Sequence, residues 1–194
     1  MTVSADPVVD SDVTPPLWLL QFDGKTSNDL LWEPRFIALL QRVLPMISVP
    51  LCDGMGLPAV VADFLSGNPA TVWIAEHRYL MVSVSRRHFA SSKGLLWIDC
   101  RSAGPAIGFI ARSYHRPGED KVAIFANTRQ PGVEVSAPFL ASAIRWLLDG
   151  DANIVEVSIS NSAGRVRFLD PQILGTGAPR QRVRRRARRR RASA

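Results

Sequence analysis

With 194 residues, 46% hydrophobic and 21% charged, the chain has room for one core of ordinary size. Neither a disordered protein nor a small disulfide-stapled scaffold fits that balance, and no apolar run approaches the ~20 residues of a membrane-spanning helix. The net charge of +7 is concentrated: nine of the 24 basic residues lie between Arg180 and Arg191, leaving 15 against 17 acidic residues, a net of −2, for the rest.

Residues 1–16 are acidic, proline-containing and aperiodic, and are expected to form a flexible lead-in. They contain none of the regions of a secretory signal peptide, so the expected compartment is the cytoplasm. Leu17 to Phe22 is an apolar run that reads as a strand or as the start of a helix. Glu33-Pro34 then opens a helix, because proline at the first helical position gives up only an N–H that has no partner there. Phe36, Ile37, Leu40, Val43 and Leu44 follow on one face, and Pro45 ends the run. A shorter helix starts at Leu57-Pro58, carries Val60, Val61, Phe64 and Leu65 on one side, and stops at Gly67.

Beyond Pro69 the pattern turns to β-branched and aromatic residues. Strands are expected at Thr71 to Ala75, Tyr79 to Val84, Leu95 to Asp99, Ile107 to Ser113 and Val122 to Asn127, with turns at Glu76-His77-Arg78 and at Arg116 to Asp120. Pro138 begins a third helix, with Leu140, Ile144, Leu147 and Leu148 on one face. Ile154 to Ser160 and Val166 to Leu169 form a hairpin across Asn161 to Gly164. Short turns favour antiparallel pairing, so residues 17–174 are expected to form one α+β domain, an antiparallel sheet with helices packed on one face. Gly175 to Pro179 has linker composition, and residues 175–194 are expected to be a linker and a disordered arginine-rich tail.

Enzyme signatures are absent from the sequence. Nucleophile-elbow, zinc-protease, P-loop and dinucleotide patterns are missing, and no histidine, cysteine or carboxylate spacing suits a metal. The expectation is a non-enzyme with no cofactor, no metal and no catalytic residues. Cys52 and Cys100 sit in no zinc or redox spacing and read as buried thiols. Trp18, Trp32, Trp73, Trp97 and Trp146 lie mostly on apolar faces of the expected elements, which suits core packing better than base stacking.

The stretch Leu57 to Asp99 carries a resemblance. Leu57-Pro58-Ala59-Val60-Val61 starts a helix, Pro69 marks a bend, Tyr79-Leu80-Met81-Val82-Ser83 forms a strand, and Lys93-Gly94-Leu95-Leu96-Trp97 forms the strand after a short loop. Order and spacing over about forty residues resemble the Ivy family, bacterial inhibitors of vertebrate-type lysozyme, whose loop reads C-K-P-H-x-C. Here that loop reads Ser85-Arg86-Arg87-His88-Phe89-Ala90: the histidine matches and both cysteines are replaced. The resemblance implies an Ivy-like fold and a lysozyme-type glycoside hydrolase as partner. It also implies His88 as the principal contact, with Ser85, Arg86, Arg87 and Phe89 around it. A relocation to the cytoplasm accounts for the lost cysteines, since a reducing compartment gives a bridge no advantage; the family itself is periplasmic, which is the alternative if the start is misassigned.

The tail points elsewhere. Arg180, Arg182, Arg184, Arg185, Arg186, Arg188, Arg189, Arg190 and Arg191 form a polycation suited to nucleic acid or an acidic membrane surface. It also resembles, loosely, the arginine-rich export signals of type IV secretion substrates. Two functions therefore stand side by side: a hydrolase-binding inhibitor or immunity-type antagonist, and a nucleic-acid-associated or effector-like protein acting through its tail. A homodimer remains open in both.

Overall fold

The structure is a computed structural model and describes residues 14–49, 54–87, 89–102, 106–116, 119–127, 135–149, 153–161 and 165–174. The lead-in to residue 13, Cys52, His88 and the whole of 175–194 lie outside them.

The first apolar run is a 3-10 helix, Leu17–Phe22, with Leu19 and Phe22 buried. It is followed by α1 (Ser27–Leu31), which the sequence reading did not anticipate. Thr26 and Asp29 cap it reciprocally: the Asp29 amide donates to the Thr26 hydroxyl at 3.3 Å, and the Thr26 amide donates to the Asp29 carboxylate at 2.8 Å. Those bonds hold the Asp29 carboxyl below its usual range. The two proline-led helices stand where expected, as α2 (Pro34–Val43) and α3 (Leu57–Leu65).

Seven strands form one sheet in chain order: β1 (Val72–Ala75), β2 (Tyr79–Arg86), β3 (Phe89–Asp99), β4 (Ala106–Arg116), β5 (Glu119–Asn127), β6 (Ile154–Ser160) and β7 (Val166–Leu169). All neighbours pair antiparallel except β5 and β6, which run parallel and are joined through α4 (Ala137–Leu148). The fold is α+β, with a mostly antiparallel sheet.

Two details of the expected architecture are corrected. The sheet is not wholly antiparallel, and the helices do not share one face. α1, α2 and α3 cover the face carrying Leu80, Val82, Val84, Leu96, Ile98 and Phe109. α4 covers the other face, against Met81, Leu95, Trp97, Ile110, Val122 and Ile124. The reason is topological. A parallel neighbour cannot be reached by a tight turn, so the chain must cross the sheet between β5 and β6. One side of the sheet is already covered by three helices, and Phe139, Ala143 and Leu147 bury the other.

The seat of α4 is set by one residue without a side chain. The Phe139 ring lies directly on Gly108, where an added Cβ would come within 2.5 Å of ring carbons. The outer edge of β1 is also closed. The Gly24 amide donates to Val72 O at 3.0 Å, the Val72 amide to Lys25 O at 2.7 Å, and the Ile74 amide to the Asp23 carboxylate at 3.0 Å. The outer edge of β7 has no such cover among the described residues, and Phe168 on it is 65% exposed.

The tryptophans divide. Trp97 is core, whereas Trp32 and Trp73 are 79% and 57% exposed. That corrects the core role expected for those two.

Candidate partner-binding hairpin

The six residues from Ser85 to Ala90 are not an open loop. β2 runs on through Arg86 and β3 starts at Phe89, with Arg86 paired opposite Phe89 after a register shift at Ser85/Arg86. Two positions separate the strands; Arg87 is exposed, and position 88 lies outside the described residues. The sequence places no glycine, asparagine or proline at this turn, so its tightness was not visible from turn residues.

Three contacts hold the tip, two of them from the side of α3. The Arg86 guanidinium donates through Nε to the Asp63 carboxylate on α3 and is only 17% exposed. Its carbon also lies 4.8 Å from the centre of the Phe89 ring, a cation–π distance. The chain just past α3 presses on the tip backbone at Gly67, where a Cβ would meet Ser85 O at 1.9 Å. Arg86 is therefore committed within the protein, and Ser85 is half-buried in the strand. Of the residues singled out from the sequence, Arg87 and Phe89 face outward, Phe89 being 54% exposed.

The opposite end of β2 holds a second polar cluster that sequence reasoning missed. Arg78 makes two hydrogen bonds to Asp99, at 2.9 and 2.7 Å, and Asp99 also accepts from the Arg101 amide at 3.0 Å. Asp99 raises the Arg78 pKa further above its usual value. Arg101 Nε donates to His77 O at 3.0 Å. That cluster braces the β1–β2 turn, in which Glu76 and His77 both hold left-handed backbone, at φ of 55° and 48°. Only the opposite charges of Arg78 and Asp99, 21 residues apart, could have signalled it.

Cys100 is a free, buried thiol, and burial pushes its pKa up to about 11. It is thus a poor nucleophile at neutral pH. Among the described residues no cluster of three histidine, cysteine or carboxylate side chains could hold a metal, and no helix is long and apolar enough to cross a membrane. No family model matches this chain, and no curated protein or solved structure matches it either.

Proposed function

We propose that this protein is a non-enzymatic, Ivy-like binder of a lysozyme-type glycoside hydrolase, acting through the tip of the β2–β3 hairpin. The observation that carries the reading is the closure of that tip by Arg86–Phe89 pairing and by the Arg86–Asp63 ion pair. A binding loop that is ordered before contact has less conformational entropy to lose. In the Ivy family a disulfide serves that purpose; here strand pairing and an ion pair to α3 take its place. Retaining glycosidases keep one protonated and one ionised carboxyl group beside the scissile bond. The His88 imidazole suits such a pair, since one ring nitrogen donates and the other accepts. Arg87 adds a positive charge beside it, and Phe89 an apolar contact.

The test is a calorimetric titration of vertebrate-type lysozyme with the full chain, and with a chain lacking residues 175–194. The tail-less chain should bind better, because lysozymes of this type are cationic and the arginine run opposes their approach. A saturable complex lost on His88→Ala supports the reading. Absence of heat at tens of micromolar, about 7 kcal/mol of binding free energy, refutes it.

Nine arginines in twelve positions favour a second reading, binding of nucleic acid by the tail. Fluorescence anisotropy with duplex DNA over a salt series tests it. Affinity should fall with a log–log slope of up to about −8, the limit for nine phosphate contacts. Deleting residues 180–191 should abolish the signal.

A further inference from the structure

A sheet of seven strands is roughly 29 Å wide, whereas one helix covers only about 10–12 Å of it. α4 packs over the middle of the sheet, with Phe139 on Gly108 of β4 and against Trp97 of β3, and the second face of β1 and β2 is left beside its flank. A cleft of about 220 Å³ results. Trp73 and Met81, paired across β1 and β2, belong to its floor together with Ser83. Its wall is α4, on which Ser142, Arg145, Trp146 and Asp149 recur at spacings of three and four and so share one side of the helix. The Trp146 indole is fixed, donating from Nε1 to Ser83 Oγ at 2.8 Å.

The other recognition groups are unengaged. Trp73 is 57% exposed and its Nε1 donates to no described residue. Arg145 and Asp149 are both exposed, and neither side chain forms an ion pair with the other or with any described residue. The cleft therefore offers a free aromatic face, a donor-only cation and an acceptor-only anion whose charges cancel.

We propose that this cleft binds a neutral saccharide, with a pyranose ring stacked on Trp73 and its hydroxyls bonded to Arg145 and Asp149. A pyranose combines an apolar C–H face with an edge of hydroxyls that both donate and accept. Asp149 takes the donated protons and Arg145 supplies its own. A charged ligand would meet one partner and be opposed by the other. A purely apolar side chain would cover both charges without replacing their water, which is costly. The volume is below the ~300–1,000 Å³ of typical small-molecule pockets and suits one ring, with the rest of the glycan outside. This site is separate from the hairpin tip, which is fastened to α3 on the opposite face of the sheet.

The experiment titrates the full chain with cellohexaose, chitohexaose and maltohexaose, following tryptophan emission and heat. These probes are uncharged and so do not engage the arginine tail. At least one should bind saturably, with a dissociation constant between about 10 μM and 1 mM that is insensitive to salt. Trp73→Ala and Asp149→Asn should each weaken it by about tenfold or more, while Trp32→Ala, at an exposed indole elsewhere, should leave it unchanged. Unaltered circular dichroism and melting of each variant separate lost contact from lost fold. The proposal is overturned by silence of all three sugars up to about 10 mM, or by binding that survives Trp73→Ala. Trp73-dependent capture of an uncharged apolar peptide with no sugar bound would make the cleft a protein-docking groove and overturn it too.

Discussion

Gly108→Ala is the sharpest test of how α4 is seated. The new methyl carbon would lie 2.5 Å from Cγ and Cδ2 of Phe139 and 2.6 Å from Cδ1. Carbon atoms rest at ~3.5–4.0 Å, so the ring must retreat by about 1 Å. Phe139 is 1% exposed and leans on Trp97 with ring centres 5.8 Å apart, so it cannot slide aside. The helix must lift instead, and a gap of that size forfeits a quarter to a half of each contact along Ala143 and Leu147. Overpacking of this kind costs about 3 kcal/mol, which lowers the melting temperature of a domain this size by about 6–12 °C. Thermal unfolding followed by circular dichroism measures it. Adding Phe139→Leu should recover about 1 kcal/mol or more beyond additivity, because the two residues are in contact. A Gly108→Ala protein melting within about 1 °C of its parent would mean that α4 does not rest on β4.

Asp63→Asn removes the charge that holds Arg86 to α3. Amides of the β2–β3 tip should then exchange hydrogen faster, with a stability loss of about 1–2 kcal/mol, while amides of β5 and β6 keep their protection. Replacing Glu76 and His77 together by Asn and Gly should stabilise the protein by about 1–2 kcal/mol, since both positions hold left-handed backbone. An unchanged urea midpoint would refute that. For Cys100 the sign runs toward alkali. The folded thiol keeps its proton up to about pH 11, whereas the unfolded thiol loses it near 9. Below pH 9 the two states bind that proton alike, and between 9 and 11 unfolding releases it. Stability should fall over that window by at most roughly 2.7 kcal/mol, and Cys100→Ala should flatten the slope in urea titrations.

Much of this architecture was legible because local chemistry and tertiary position agree. Pro34, Pro58 and Pro138 mark three helix starts in the sequence, and the alternation of β-branched residues marks the strands. α1 escaped because five residues are too few for a periodicity, although Thr26 and Asp29 carried its capping signal. The placement of α4 escaped for a different reason. Leu80, Met81, Val82 and Val84 are buried on both faces of β2, and that run already contradicts a sheet with one wet side. At the hairpin tip the sequence supplied the residue types but not their partners. Arg86 meets Asp63 across 23 positions, a pairing that spacing cannot reveal. The cleft beside α4 depends on how far one helix reaches across seven strands, a matter of width that no local pattern encodes.

The unequal edges of the sheet limit how the molecule can grow. Strand addition needs an open row of amides and carbonyls on each joining unit. At β1 the Asp23–Lys25 segment already occupies that row, so among the described residues the open row for a second molecule is that of β7. Two β7 edges meeting antiparallel consume both open rows, and a third molecule finds none. Among the described residues the sheet thus has a valence of one: edge-to-edge self-association through these strands ends at a pair, and the stacking that leads to fibres finds no second strand edge from which to continue.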